Sequence, residues 1–176
     1  DYHPDEPGGS QGGRSLVQAE RLRGSLESRI RDATTTMEKS YAQMAELRVE
    51  QVTQQERKRI DDTFRIISLG FSNLGGANSV VEYFNSHGKR SYEDGVYSNL
   101  GEFYFDKRRY ADAAATYNAF VSRNPFHNVA PQFAMRVIEI HLAGAFPSLV
   151  IDGKKQFATN YGLKAEYWRH FEPGAR

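Results

Sequence analysis

The chain has no cysteine in its 176 residues. That excludes a disulfide framework, thiolate metal ligands, a cysteine nucleophile and a lipid-bearing cysteine from this stretch. It also lacks any apolar run approaching the roughly 20 residues needed to span a bilayer, so direct membrane insertion is not expected. Net charge is nearly absent: 23 Lys and Arg against 22 Asp and Glu leave +1. Such a balance gives no electrostatic footprint for nucleic acid or an anionic membrane surface. There is no GxSxG elbow, P-loop or Rossmann glycine pattern. Gly75-Gly76 reads as a turn between helices and not as a phosphate cradle.

The residues that could carry chemistry are dispersed. Five histidines, His3, His87, His127, His141 and His170, lie far apart, and Glu139 and His141, two residues apart, fall on diverging helix faces. Metal binding needs three or four converging ligands, so no metal or other cofactor is expected. Glu56 and Asp61-Asp62 sit amid Arg57, Lys58 and Arg59, where a solvated helix face with four-residue ion pairs accounts for them. The chain is therefore read as non-enzymatic.

What is present is helical periodicity. Tyr97, Leu100, Gly101 and Tyr104 step by three, one and three, placing all four on one stripe of a helix over residues 93–105. Gly101 weakens that helix by about 1 kcal/mol relative to Ala, a cost best explained by close approach of a second helix. That second helix, residues 110–122, turns Ala113, Tyr117 and Phe120 or Val121 inward. Residues 106–109 make a short polar turn, and Asn124-Pro125 ends the pair. A second pair follows. Residues 130–142 are apolar almost all round, which predicts a helix sandwiched between neighbours. Gly144 breaks it, and Phe146-Pro147 opens a helix to about residue 159 with Leu149, Val150, Ile151, Phe157 and Ala158 on its buried side. Residues 164–171, containing Tyr167 and Trp168, look like the first turns of a further helix.

Upstream, Ile60, Phe64, Ile67 and Phe71 mark a helix over 54–73. Asn78 or Ser79 is expected to cap a short helix that Gly88 terminates. Before these, Leu22, Leu26, Ile30, Ala33, Met37, Tyr41 and Met44 step by three or four along one helix within residues 15–50, either a cap on the array or a partner helix, open to self-association. The Pro- and Gly-rich residues 1–14 read as disordered linker. Sixteen of the 22 aromatic residues lie from Tyr92 onward, which places the well-packed pairs in the second half. Opening in linker and ending in a partial helix, the chain reads as a piece of something longer.

The spacing of Tyr97, Leu100, Gly101, Tyr104, Ala113, Tyr117 and Pro125 resembles one tetratricopeptide repeat, departing from it at Phe120, where a small residue is usual. Tyr110 and Phe146, like Ala113 and Leu149, are 36 residues apart, close to the 34-residue period of the family. The resemblance implies an all-α, right-handed solenoid of antiparallel helix pairs with a long N-terminal helix: a degenerate pair over 54–88, the clear repeat over 93–127, a degenerate repeat over 128–162 and the start of a further helix over 163–176. RVIEIHLAGAFPSLV and KKQFATNYG are similar to large periplasmic or outer-membrane-associated tetratricopeptide proteins of Gram-negative bacteria. This implies a cell-envelope scaffold that binds a protein or peptide, or else an accessory solenoid of a cell-wall-acting enzyme whose catalytic domain lies elsewhere. The family's concave groove would be lined here by Gly95, Ser98, Glu102, Phe105 and Asp106. Ser98 and Glu102 argue against a clamp for a C-terminal carboxylate, which uses Lys, Arg and Asn. Lys107, Arg108 and Arg109 form either a plain polar turn or an edge that meets an acidic partner. Tyr167 and Trp168 are either buried against a following repeat or serve as interface anchors.

Overall fold

The computed structural model describes residues 11–46 and 54–171, and the described residues are all helical with no strand. The elements are α1 (Gln11–Glu46), α2 (Gln54–Leu74), α3 (Ala77–His87), α4 (Glu93–Asp106), α5 (Tyr110–Arg123), α6 (Ala130–Ala143), α7 (Pro147–Tyr161) and a single turn, α8 (Glu166–Arg169). Of the expected linker over 1–14, residues 1–10 lie outside the described part, and the helix already runs from Gln11 instead of Ser15. No segment is long and apolar enough to cross a membrane as a helix among the described residues.

Packing is dominated by neighbours along the chain. The helix pairs α1–α2, α4–α5, α5–α6 and α6–α7 lie side by side, while α2 also rests on α4 and α3 on α5. Short connections make the α4–α5 and α6–α7 pairs antiparallel hairpins. Glycine thins α4 at both of its contacts. A methyl group on Gly101 would stand 2.5 Å from the Tyr117 ring on α5, and one on Gly95 would stand 2.4 Å from the Phe64 ring on α2. Ala113 is fully buried opposite.

The two hairpin turns are built alike. Arg108 N–H donates to Phe105 O and Arg109 N–H to Tyr104 O; Ala145 N–H donates to Leu142 O and Phe146 N–H to His141 O, the same pattern 37 residues on. Arg108 and Ala145, at φ 57° and 58°, both adopt the left-handed conformation that closes each turn. The α2–α3 turn differs: Gly75 and Gly76, both at positive φ, donate to Phe71 O. Gly76, not Asn78 or Ser79, is the N-cap of α3, and no side chain caps it. With two glycines supplying the turn, the helix starts two residues too early for Asn78 and three too early for Ser79 to stand at the cap.

The core is an aromatic ladder crossing the helices. Tyr41, Tyr92, Phe84, Tyr97, Phe120 and Phe133 meet ring to ring in succession, with neighbouring centroids 4.8 to 6.4 Å apart. Phe120 touches Tyr97, His127 and Phe133 together, so the bulky ring is what docks α6 on α5. Beneath the ladder is a buried ion pair. Arg123 Nε donates to Glu93 Oε1 at 2.6 Å, its Nη2 to Phe84 O at 2.9 Å and its Nη1 to Asn85 Oδ1, tying α3, α4 and α5 at one point.

Toward the end the packing thins. On α7 only Val150 and Tyr161 are buried and Phe157 is half-buried, while Leu149, Ile151 and Ala158, expected inside, are exposed. On α6, Leu142 and Met135 also face outward, so the helix is covered on two sides and not all round. Among the described residues no neighbour lies over those faces to bury them. A small second cluster joins Ala130, Tyr161 and Tyr167.

Candidate functional site

The α4 residues that the tetratricopeptide resemblance implies as groove lining are divided between contact and solvent. Gly95 lies under the Phe64 ring. Ser98 is half-buried, its hydroxyl donating to Gly95 O at 3.2 Å. Phe105 is half-buried against Tyr110. Asp106, at the C-terminus of α4, is exposed. Glu102 is where the residues converge. It accepts from the Tyr117 hydroxyl at 2.6 Å and from both arms of the Arg136 fork, Nε to Oε1 at 2.8 Å and Nη2 to Oε2 at 2.9 Å. Arg136 Nη1 also donates to Glu139 at 2.9 Å, and its guanidinium lies 4.5 Å from the Phe105 ring centre. One cation therefore bridges two carboxylates on successive first helices and caps an aromatic ring.

The electrostatics follow. Hydrogen bonding from Arg136, aided by Tyr117, holds the Glu102 carboxyl below its ordinary range against the opposing pull of burial. Burial, then the Glu102 hydrogen bond, pushes the Tyr117 hydroxyl up, so it stays a donor. These hydrogen bonds join α4, α5 and α6 in one network of carboxylates, guanidinium and hydroxyl.

Compared with known proteins, the chain matches no family model, no curated protein and no solved structure.

Sequence reasoning missed Arg136, although a signal was present. The α4–α5 pair recurs in α6–α7 at an offset of 37 residues, so Glu102 corresponds to Glu139, and Arg136, one turn before Glu139 on α6, falls beside Glu102. The basic turn is partly folded onto its own chain. Lys107 Nζ lies 4.9 Å from the Phe103 ring centre, while Arg109 covers Tyr104 and donates to Asp112 at 2.8 Å. Arg108 is exposed. Tyr167 and Trp168 belong to the separate cluster at α8. Tyr167 is buried with its hydroxyl donating to His127 O at 2.9 Å, and Trp168 donates from Nε1 to Tyr161 O at 3.0 Å with much of its ring exposed.

Three open hollows accompany these surfaces. One of about 240 Å³ separates α1 from α3 over a floor of Ile30, Phe71 and Leu74, with Arg31 and Glu82 on its walls. Another, about 470 Å³, runs between Pro125, Phe126, Asn160, Tyr161 and Glu166. The third, about 300 Å³, lies beside the α2–α3 turn, lined by Gly76, Asn78, Tyr104, Arg109 and Asp112. No group of three or more His, Cys, Asp or Glu able to hold a metal occurs among the described residues. His141 has no partner at Nδ1, and burial lowers its pKa, which favours the neutral ring.

Proposed function

We propose that the chain is a non-catalytic protein-interaction scaffold: a right-handed solenoid of tetratricopeptide-type helix pairs, one section of a larger cell-envelope protein in the periplasm or at the outer membrane. The observation that carries this reading is repetition in the structure itself. The α4–α5 and α6–α7 turns share one hydrogen-bond pattern at a 37-residue offset, and the helices themselves start at that same offset, α4 to α6 and α5 to α7. Units that repeat in this way and pack on their neighbours make an extended surface of first helices, the usual seat of a bound peptide in such architectures.

On this chain the exposed part of that surface is acidic and apolar: Asp106 on α4, Met135 and Glu139 on α6, with Arg136 already held by Glu102. A partner segment with basic and apolar side chains fits it better than a free carboxylate does, because the fork of Arg136 is occupied. The test is capture from an envelope extract of the source organism by the native chain and by an Asp106→Lys/Glu139→Lys variant, followed by calorimetry with the purified captured protein. The variant is expected to lose that protein and to weaken its binding at least tenfold, with an unchanged circular dichroism spectrum. Equal binding by both forms would overturn the assignment of this face.

A further inference from the structure

Helix α3 starts with its backbone donors unused. Gly76 stands at the N-cap, and no side chain caps the first turn. Val80 N–H is the first to reach a helical acceptor, Gly76 O at 3.2 Å. Before it, the N–H groups of Ala77, Asn78 and Ser79 have no acceptor among the described residues. Free N–H groups at a helix start act as roughly half a positive charge and attract anions. Water satisfies such a helix end just as well unless other groups join it.

A second group makes the same demand. Tyr104 is only 2% exposed, yet its hydroxyl has no hydrogen-bond partner among the described residues. That residue lines the hollow of about 300 Å³ beside the α2–α3 turn. Its hydroxyl comes up to the helix start, where a methyl group on Gly76 would stand 2.5 Å from the oxygen, so glycine is what lets the two meet. Burial raises the Tyr104 pKa, which keeps the hydroxyl a donor. A buried hydroxyl without an acceptor is costly, and this one is turned toward an opening through which an acceptor can enter.

Arg109 closes a third side. Its guanidinium lies 4.6 Å from the Tyr104 ring centre. Asp112 engages only Nε, at 2.8 Å, and leaves the two Nη groups without an acceptor among the described residues. Asp112 also lines the hollow and offsets the one cation there, so selection rests on the placement of donors and not on net charge. These donors come from the start of α3, from α4 and from the head of α5. Donors converging from three helices suit a tetrahedral oxyanion, whose acceptors point all round, better than a carboxylate, whose lone pairs lie in one plane. As a sequence, the glycine pair 75–76 is a plain turn; folding brings Tyr104 and Arg109 to it from the next hairpin.

We infer that the hollow beside the α2–α3 turn binds phosphate, as the free ion or as the phosphate of a monoester. The N–H groups of Ala77 and Asn78, the Tyr104 hydroxyl and the Nη groups of Arg109 are its donors. The site uses neither Asp106 nor Glu139, on which the partner-binding reading rests. With a single cation, already shared with Asp112, the dissociation constant is expected at about 1 mM.

The test titrates the full 176-residue chain with sodium phosphate at neutral pH and follows the backbone amide resonances, with sodium chloride holding the ionic strength. Saturable downfield shifts are expected at Ala77 and Asn78, and chloride alone should produce none. Tyr104→Phe keeps the ring and removes only the donor; it should weaken phosphate several-fold with an unchanged circular dichroism spectrum. Arg109→Gln should weaken it about tenfold. Glycerol phosphate in place of phosphate separates the two sources: tighter binding assigns the site to a monoester, weaker binding to the free ion. Acetate should bind at least about tenfold more weakly than phosphate. A carboxylate from residues outside 11–46 and 54–171 that already filled the hollow would leave phosphate unbound. Absence of a saturable shift at the start of α3, unchanged affinity in both Tyr104→Phe and Arg109→Gln, or acetate bound as tightly as phosphate would overturn the inference.

Discussion

Replacing Glu102 or Arg136 should loosen the joint between successive helix pairs. The magnitude can be worked from the contacts. The pair is bidentate at 2.8 and 2.9 Å, and charge-assisted hydrogen bonds contribute about 1.5 to 3 kcal/mol where water is excluded. Here the side chains are 42% and 29% exposed, and solvent screening reduces that to about 1 kcal/mol of coupling. Glu102→Ala also strips the Tyr117 hydroxyl of its short bond, and Arg136→Ala uncovers Phe105, so each single substitution should cost about 1.5 to 2 kcal/mol. The assay is a double-mutant cycle of Glu102→Ala and Arg136→Ala by urea unfolding at neutral pH. The sign of the pH dependence is fixed by the Glu102 carboxyl, whose folded pKa is held below its ordinary 4.5. Its stabilisation is full above that value and is lost as pH falls through the lowered folded one. The gap between the native chain and Glu102→Gln should therefore close in acid. A coupling below about 0.3 kcal/mol, or a gap that widens in acid, would refute this account of the joint.

Gly101→Ala gains about 1 kcal/mol of helix propensity yet drives a methyl to 2.5 Å from the Tyr117 ring, and should destabilise the chain by about 2 kcal/mol net in thermal unfolding. Arg123→Ala leaves the Glu93 carboxylate, only 5% exposed, with Asn124 as its remaining partner, and should cost about 3 kcal/mol by urea titration. Ala145→Gly relieves a left-handed alanine at φ 58° and should stabilise by about 0.5 to 1 kcal/mol, read as a rise in melting temperature.

The stripe of Tyr97, Leu100, Gly101 and Tyr104 was legible because all four lie within two turns of a single helix, and every one of these residues is buried. Gly101 was read correctly as a site of close approach for the same reason: its neighbour comes from the next helix in the chain. Gly95 was not, since its partner Phe64 sits 31 residues earlier and no local pattern marks it. A small residue on a first helix reads as groove lining until the opposing ring is seen. The face of α7 shows the converse error. Leu149 and Ile151 have the composition of a core, but burial depends on a neighbour that periodicity cannot supply, and both remain exposed. The Glu102–Arg136 pair was hidden from any search for chemistry within one helix, because its two residues lie on α4 and α6 and meet only when the two hairpins pack.

The measurement that tests the central claim most directly is hydrogen exchange of the chain alone and with its captured partner. The account predicts that added protection concentrates on residues 98–106 of α4 and 132–139 of α6, where the exposed acidic and apolar side chains lie. Protection confined to other helices, with α4 and α6 unchanged, would contradict a scaffold that binds through its first helices.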